Sequence, residues 1–233
     1  MNEIKQVVIL AGGKGTRMRE MTEDLPKPMV QVGDKTVLEH LINIYRKFGS
    51  FQFFICAGYK SEKIIDHFKL NKDVTIFDTG LETNTGGRLF KIRDYIKGSF
   101  MITYGDGLAN VKIDKLVKQF YELGNIGTIT VTNPVSRFGL VEFDKNLQVN
   151  NFVEKPKLDG YINIGFMAFK QEFFEYLNND SILEVQPLME LTNSSQLNAF
   201  IHKGYFEPMD TYREYLNLNK LWNTGNPPWE NNE

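Results

Sequence analysis

The sequence predicts an α/β fold with three layers, in which helices cover both faces of a mostly parallel, mixed sheet. Short apolar stretches alternate with segments of helical periodicity along residues 1–133. The chain between successive stretches is long enough for the crossover helices that parallel strands require. After Asn133–Pro134 the pattern changes to short strands separated by turn residues, which is typical of β-hairpins. We therefore expect a Rossmann-like sheet followed by a β-hairpin region.

The predicted elements of the first part alternate regularly. Residues 6–10 are nearly all apolar, as in a strand that is buried on both faces of a sheet. Further strands are predicted over residues 51–57, 74–77, 99–104 and 127–132. Helices are predicted over residues 36–48, 62–68, 88–96 and 113–123.

The second part predicts antiparallel strands first and helices later. Strands are predicted over residues 138–143, 148–154 and 161–169, and again over 197–203. Helices are predicted over residues 171–178, 182–193 and 211–222. Thr211 and Glu214 fit a capping box at the start of the last helix. The polar tail, residues 227–233, is expected to be loosely held.

Composition excludes several classes of partner. The 233 residues carry a formal net charge of −2, which disfavours binding to nucleic acid or to an anionic membrane. The apolar runs fall far short of the roughly 18–20 residues that a membrane helix needs, so we expect a cytoplasmic protein. The single cysteine, Cys56, lies in an apolar stretch and is expected to be a buried thiol. The three histidines lie far apart, which disfavours a zinc site.

A glycine-rich segment follows the first predicted strand: Leu10-Ala11-Gly12-Gly13-Lys14-Gly15-Thr16-Arg17. Its glycines let backbone N–H groups approach a phosphate closely, while Thr16 and Arg17 add further donors. The dinucleotide-binding motif does not match, because Met18 stands in place of its last glycine. The nucleoside-triphosphatase loop does not match either, since Gly-Lys-Gly replaces Gly-Lys-Ser/Thr.

A lysine on a stiffened segment supplies the second signal. Lys27 lies between Pro26 and Pro28. Together with the glycine-rich segment, Pro26-Lys27-Pro28-Met29 resembles the signature of the sugar-1-phosphate nucleotidyltransferases. The resemblance implies that the loop and Arg17 hold a nucleoside triphosphate and that Lys27 neutralises it.

Further motifs along essentially the whole chain resemble the glucose-1-phosphate cytidylyltransferase branch of that family. They are Asp78-Thr79-Gly80, Thr85-Gly86-Gly87-Arg88-Leu89, Tyr104-Gly105-Asp106-Gly107, Arg137-Phe138-Gly139, Glu154-Lys155-Pro156-Lys157, Glu207-Pro208-Met209-Asp210-Thr211, and Leu221-Trp222 with Pro227-Pro228-Trp229. The resemblance implies transfer of CMP from CTP to a phosphorylated sugar by direct in-line displacement, with Mg²⁺ as cofactor. It also implies a single domain, with a nucleotide-binding half over residues 1–133 and an acceptor-binding half over 134–233.

The resemblance assigns roles to individual positions. Arg17, Lys27 and Lys155 would be catalytic, and Asp106 and Asp210 would hold the metal ion. CTP would be bound by Leu10, Ala11, Gly12, Gly13, Lys14, Gly15, Thr16, Arg17, Lys27, Thr83, Gly86, Arg88 and Asp106. The acceptor would be bound by Glu154, Lys155, Asn163 and Gly165.

Two departures from the branch leave the acceptor open. The connection after Phe68 is shorter than in the branch. Ile164 stands where the branch has glycine, and we expect its larger side chain to narrow the sugar pocket. A smaller acceptor such as a glycerol phosphate is therefore an alternative, as is another nucleoside triphosphate. A nucleotide-binding regulatory module without chemistry and a dinucleotide-dependent oxidoreductase are alternatives from other classes. We also expect a homo-oligomer.

Overall fold

The computed structural model describes residues 4–231, in which strands and helices alternate. The strands are β1 (Gln6–Ala11), β2 (Gln31–Val32), β3 (Lys35–Thr36), β4 (Gln52–Ala57), β5 (Val74–Asp78), β6 (Phe100–Tyr104), β7 (Gly107–Ala109), β8 (Gly127–Thr132), β9 (Leu140–Phe143), β10 (Val149–Val153), β11 (Ile162–Asn163), β12 (Met167–Phe169), β13 (Leu197–Ile201) and β14 (Phe206–Pro208). The α-helices are α1 (Arg19–Thr22), α2 (Val37–Arg46), α3 (Ser61–Phe68), α4 (Thr85–Lys91), α5 (Ile113–Leu123), α6 (Gln186–Asn193) and α7 (Tyr212–Trp222).

One eight-stranded sheet forms the centre of the fold. Its strands follow the order β5-β4-β1-β6-β12-β8, and β11 and β13 also pair with β8. β5, β4, β1 and β6 run parallel to one another. β12 runs antiparallel to both β6 and β8, whereas β13 runs parallel to β8. The predicted mixed, mostly parallel sheet is confirmed.

Helices cover both faces of this sheet. Along β1, Val7 and Ile9 face one hydrophobic core, and Val8 and Leu10 face the other. The first core includes side chains of α2, α3 and α5, and the second includes side chains of α4 and α6. Because both faces are covered, β1 has no polar face, as predicted from its sequence. The three-layer α/β/α architecture is therefore confirmed.

Two predicted helices begin at clearly different residues in the structure, and the helix predicted over 171–178 is a 3₁₀ helix, Gln171–Tyr176. The helix predicted over residues 88–96 begins at Thr85 and ends at Lys91. The helix predicted over 182–193 begins only at Gln186. The residues before it are held by α4 instead, since Gly87 N–H donates to the carbonyl of Ser181 and Leu183 N–H donates to Thr85 Oγ1. The segment of residues 181–185 is therefore a loop against the start of α4.

The strand predicted over residues 161–169 is broken in the middle. Its ends are β11 and β12, which both pair with β8, but the register shifts by two residues between them. Gly165 has φ 77° and Phe166 has φ 54°, a backbone region that a regular strand does not use. The break works as a bulge that redirects the chain where it passes Tyr104.

The β9–β10 hairpin is antiparallel, as predicted. Every residue of both strands is exposed, including Phe143 and Phe152. Arg137, just before the hairpin, is joined to α7 by an ion pair with Glu214 at 2.6 Å.

The C-terminal tail is packed into the fold, so the expectation of a loosely held tail is wrong over residues 227–231. Residues 232 and 233 lie outside the described part of the chain. Trp229 is only 1% exposed, and its indole N–H donates to His40 Nδ1 at 3.3 Å. Lys47 also donates to the carbonyl of Glu230 at 2.6 Å. A large buried aromatic side chain is enough to hold a short segment in place.

Two further sequence expectations concern burial and the membrane. Cys56 is fully buried, as predicted, and burial raises the pKa of its thiol to about 12. Within residues 4–231, each helix is too short or too polar to cross a membrane.

The buried His40 predicts a pH dependence of stability. Its Nε2–H donates to the carbonyl of Val32 while Nδ1 accepts from Trp229, an arrangement that needs the neutral ring. Burial lowers the pKa of His40 below its usual 6.5. The stabilisation is therefore complete above the unfolded-state pKa of about 6.5. It is lost as pH falls from there through the lower pKa of the folded protein, because the unfolded chain then binds the proton more readily.

We expect the free energy of unfolding to fall between pH about 7.5 and about 5.5, measured by denaturant titration. His40→Gln should lose stability at the higher pH and show a shallower fall. Some slope will remain, since burial also lowers the pKa of His202. A slope in His40→Gln equal to that of the unaltered protein would contradict the assignment.

Candidate active site

A cleft of about 620 Å³ opens where β1 and β6 end. These strands are neighbours, so the segments that follow them lie side by side. The carboxyl edge of a parallel sheet is where open α/β folds bind ligands. Most of the predicted nucleotide and metal residues line this cleft: Leu10, Ala11, Gly12, Gly13, Gly15, Thr16, Arg17, Lys27, Thr83, Arg88, Asp106 and Asp210.

The glycine-rich loop depends on close approaches that other residues would block. Gly15 has φ 61°, and a Cβ there would lie 2.9 Å from the Cβ of Lys27. A Cβ at Gly12 would lie 2.1 Å from the guanidinium of Arg88. The two glycines therefore let the loop pack between Lys27 and Arg88.

Arg88 binds backbone carbonyls around the floor of the cleft. Its side chain is 4% exposed, and Nη2 donates to the carbonyl of Gly12 at 3.2 Å. Nη1 donates to the carbonyls of Ala57 at 2.9 Å and Gly80 at 2.8 Å. Burial lowers the pKa of Arg88. The guanidinium thus joins the glycine-rich loop to the ends of β4 and β5.

Two distant carboxylates meet because β7 pairs with β14. Pro208 lies opposite Gly107, and Met209 N–H donates to the carbonyl of Asp106 at 2.8 Å. The register of this short ladder therefore places Asp106 and Asp210 next to each other. Asp210 is also held from behind, since its N–H donates to Glu214 Oε2 at 2.7 Å.

The predicted capping box at α7 is confirmed, and it contributes to this support. The Thr211 side chain accepts from the N–H of Glu214, and Glu214 accepts from the N–H of Thr211. The start of α7 is thereby fixed at the position where Asp210 enters the cleft.

Lys27 bridges the two carboxylates. Its ammonium lies 2.7 Å from Asp106 Oδ2 and 2.6 Å from Asp210 Oδ1, and its side chain is only 11% exposed. Burial alone would lower the pKa of Lys27, but the charges and hydrogen bonds of both aspartates outweigh it and raise the pKa. Burial would likewise raise the pKa of Asp210, yet Lys27 and Arg17 lower it. Lys27 and Asp210 are therefore charged at neutral pH.

The carboxylates suit a magnesium ion. Both are hard oxygen donors, and both reach one common point, the position of the Lys27 ammonium. No group of three or more His, Cys, Asp and Glu side chains that could hold a metal ion occurs within residues 4–231. Mg²⁺ commonly uses only one or two carboxylates together with substrate phosphates and water. The donor pair fits that pattern.

Sequence reasoning missed one wall of the cleft. Glu184 lines it from the loop before α6, and accepts from Tyr104 Oη at 2.6 Å and from Thr85 Oγ1 at 2.8 Å. Burial, followed by the charge of Glu184, raises the pKa of Tyr104. Besides Glu184, the lining residues that we did not predict are Pro28, Asn84, Thr85, Tyr104, Gly105 and Ile182. Tyr104 and Gly105 adjoin Asp106 within one motif, whereas Glu184 and Ile182 lay in a predicted helix and gave no signal.

Other predicted site residues lie outside the lining of the cleft. Lys14 pairs with Glu82 at 2.8 Å. A Cβ at Gly86 would lie 2.7 Å from that of Ser181, so this glycine permits close packing of α4 against the loop before α6.

The predicted acceptor residues lie in two places. Glu154 and Lys155 pair with each other at 3.2 Å, and both side chains are substantially exposed. Asn163 accepts from the N–H of Gly165 at 3.0 Å, and a Cβ at Gly165 would lie 2.9 Å from the ring of Tyr104. The structure thus places Asn163 and Gly165 behind Tyr104.

The expectation that Ile164 narrows the sugar pocket is wrong. Its side chain is 4% exposed and belongs to the hydrophobic core. The short connection, residues 69–73, joins α3 to the beginning of β5. It lies at the amino edge of the parallel strands, opposite the edge at which the cleft opens. Neither Ile164 nor the short connection belongs to the lining of the cleft.

Fold and site together define an α/β enzyme that handles nucleotide phosphates. A glycine-rich loop, a lysine and two carboxylates converge at the carboxyl edge of a mostly parallel sheet. Backbone N–H groups and cations bind phosphate oxygens, and the carboxylate pair suits a magnesium ion.

The chain belongs to the nucleotidyl transferase family, which matches residues 6–220. It is 36% identical over 252 residues to the probable glucose-1-phosphate cytidylyltransferase of Bacillus subtilis (strain 168), covering 97% of this chain and 99% of that relative. It is 37% identical over 254 residues to the glucose-1-phosphate cytidylyltransferase of Salmonella typhi, covering 97% and 98%. The solved structure of HddC from Yersinia pseudotuberculosis, complexed with GMP-PN, is 27% identical, with a TM-score of 0.73 and coverage of 94% and 100%. The chain is therefore a nucleotidyltransferase, as the sequence resemblance predicted.

The bonds of Arg88 predict that it supports the loop more than it contacts a ligand. Arg88→Met should lower the free energy of unfolding by about 2–4 kcal/mol, because several buried carbonyls lose a charged donor. Denaturant titration measures this loss. Arg93→Met is the matched control, since Arg93 is half-exposed and donates to the carbonyl of Phe90; we expect a change of about 0.5 kcal/mol or less. Unchanged stability in Arg88→Met together with lost nucleotide binding would instead indicate direct ligand contact.

Proposed function

We propose that the chain transfers the CMP group of CTP to the phosphate of a sugar 1-phosphate, forming a CDP-activated sugar and pyrophosphate. The observation that carries the proposal is the convergence of Lys27, Asp106 and Asp210 opposite the glycine-rich loop within one cleft. The substrates are supported by two relatives that match over nearly their full length, a glucose-1-phosphate cytidylyltransferase and a probable one.

The proposed reaction is a direct displacement at phosphorus. An oxygen of the acceptor phosphate forms a bond to the α-phosphorus of CTP. The bond from that phosphorus to the bridging oxygen of the β-phosphate breaks, and pyrophosphate leaves with the electron pair. The attacking oxygen is already anionic, so no general base is needed. The protein must align two anions that repel each other and neutralise the charge that develops.

The residues divide this work by position. The backbone of the glycine-rich loop and the exposed guanidinium of Arg17 would bind the β- and γ-phosphates. Lys27, at the centre of the cleft, would neutralise charge on the phosphate chain. Asp106 and Asp210 would hold Mg²⁺, which when bound supplies positive charge next to the α-phosphate.

The missed wall of the cleft offers groups for the acceptor. Glu184 and Tyr104 are hydrogen-bonded to each other at the side of the cleft formed by the end of β6, and Asn163 lies at the nearby strand break. Carboxylate, phenol and amide groups are suited to the hydroxyls of a sugar. Lys155 and Glu154 remain predicted acceptor residues on the exposed hairpin, and the expected homo-oligomer also remains a prediction.

A pyrophosphate-release assay tests the proposed substrates. CTP, UTP, dTTP and GTP are each combined with glucose 1-phosphate or a glycerol phosphate, with and without Mg²⁺. We expect release with CTP and glucose 1-phosphate, and only with Mg²⁺ present. GTP is an essential comparison because the HddC structure was solved with GMP-PN. Release with GTP and not CTP, or with a glycerol phosphate and not glucose 1-phosphate, would contradict the proposal.

Asp106→Asn and Asp210→Asn should each lower kcat about 10²- to 10³-fold, because each removes a charge next to the transferred phosphate. Steady-state assays at saturating substrate measure this effect. Asp94→Asn is the control, since Asp94 is exposed and lies outside the cleft. Near-normal Mg²⁺-dependent turnover in Asp106→Asn would show that the metal assignment is wrong.

Glu184→Ala should raise KM for the sugar phosphate about 10- to 100-fold and leave KM for CTP nearly unchanged, since a hydrogen bond to a charged group is lost. Initial rates with each substrate varied in turn separate the two effects. Glu190→Ala, on α6 beyond the cleft, should alter neither value. A rise in KM for CTP alone would place Glu184 on the nucleotide side.

A further inference from the structure

The position of the Lys27 ammonium suggests how metal and nucleotide binding are linked. We propose that Lys27 is an internal counter-ion, which occupies the metal position between Asp106 and Asp210 until nucleotide phosphates draw it away. The inference rests on the proposed function and extends it, since it concerns the order in which the same cleft accepts its ligands. It predicts that the protein binds a divalent cation poorly without nucleotide.

The geometry supports competition for one place. The ammonium forms short, charge-assisted bonds of 2.7 Å to Asp106 and 2.6 Å to Asp210. A divalent cation bridging the same two oxygens would need the space that the ammonium fills. Arg17 adds a bond of 2.7 Å to the other oxygen of Asp210. In the free protein, the two carboxylates are therefore already neutralised by cationic side chains.

The lysine cannot withdraw by moving its backbone. Lys27 lies between Pro26 and Pro28 and is the first residue of a 3₁₀ turn, Lys27–Met29. Two hydrogen bonds close this turn, from Met29 N–H to the carbonyl of Pro26 and from Val30 N–H to the carbonyl of Lys27. Gly15 packs over the first carbons of the side chain. Only the outer part of the side chain is free to swing, so its charge can move a few ångströms while its base stays in place.

The cleft holds no other free carboxylate, within the described residues, to receive the displaced charge. Its acidic lining residues are Asp106, Asp210 and Glu184. Glu184 already accepts bonds from Tyr104 and Thr85. The anions that can take up Lys27 are thus the phosphates that the glycine-rich loop would bind. Nucleotide binding would then remove the lysine from the carboxylates and open the metal position in one event.

This exchange couples the two ligands thermodynamically. Nucleotide favours metal because it removes a competing cation, and metal favours nucleotide because it releases Lys27 towards the phosphates. The contribution of the lysine is separable from direct coordination by the phosphates, because it exists without nucleotide. It is measured by removing the ammonium and titrating the metal alone.

Mn²⁺ titration of the nucleotide-free protein, followed by electron paramagnetic resonance, tests the inference. Lys27→Met keeps most of the side chain and removes the charge. We expect it to tighten Mn²⁺ binding about ten-fold or more, within the usual range of coupling between ligands. Lys14→Met is the matched control, since it also removes a cation from this region. The ammonium of Lys14 pairs with Glu82 and not with the two aspartates. It should change the Mn²⁺ affinity less than two-fold.

A second measurement uses the unaltered chain and does not depend on how Lys27→Met folds. The ¹⁵N signal of the Lys27 ammonium is followed by NMR during addition of a non-hydrolysable CTP analogue, first without metal. We expect the signal to shift as the ammonium leaves the aspartates for the phosphates. A signal that stays unchanged while the analogue binds would overturn the inference.

The outcomes separate this inference from the proposed function. Equal Mn²⁺ affinity in the unaltered protein and in Lys27→Met, with metal bound in the presence of the analogue, would overturn the counter-ion role and leave the metal site standing. No Mn²⁺ binding to any variant, even with the analogue present, would overturn both. Tight Mn²⁺ binding to the unaltered protein without nucleotide would also contradict the inference.

Discussion

The site depends on one ion cluster, in which the ammonium of Lys27 holds the carboxylates of Asp106 and Asp210 together. Two carboxylates this close would repel each other, so a cation must lie between them. Each member comes from a different part of the chain, and each is fixed by local backbone structure. Two prolines stiffen the segment of Lys27, whereas the ladder of β7 and β14 sets the register of the aspartates.

The glycine-rich loop opposite this cluster depends on a second cation, Arg88, whose hydrogen bonds go to backbone carbonyls and to the hydroxyl of Thr79. Arg88 donates to backbone carbonyls at the ends of three neighbouring strands. These are Gly12 after β1, Ala57 in β4 and Gly80 after β5. Arg88 therefore neutralises the polar backbone that converges at the carboxyl edge of the sheet. The glycine-rich loop is thus held through the carbonyl of Gly12. One cation supports the glycine-rich loop, and the other neutralises the aspartates.

The sequence predicted those parts of the fold whose burial follows from local pattern. β1, α5 and β8 could be located because apolar periodicity reports directly on which face is buried. The cation and carboxylate residues could be named because they lie in compact motifs. Their mutual contacts could not, since the pairing of β7 with β14 joins segments about a hundred residues apart.

Other features depended on tertiary contacts that periodicity does not report. The segment of Glu184 has helical spacing, yet bonds to α4 hold it as a loop. Ile164 was expected to narrow the sugar pocket, but the break between β11 and β12 turns its side chain into the core. The tail is polar in composition, and a single buried indole at Trp229 holds it. In each case specific tertiary contacts outweigh the local preference.

The most direct test of this account is a crystal structure with Mg²⁺ and a non-hydrolysable CTP analogue. We expect the metal ion between Asp106 and Asp210, phosphates along the glycine-rich loop, and the Lys27 ammonium on a phosphate oxygen. Arg88 should keep its bonds to the carbonyls. Lys27 still bridging both aspartates, with the phosphates bound elsewhere, would contradict the account.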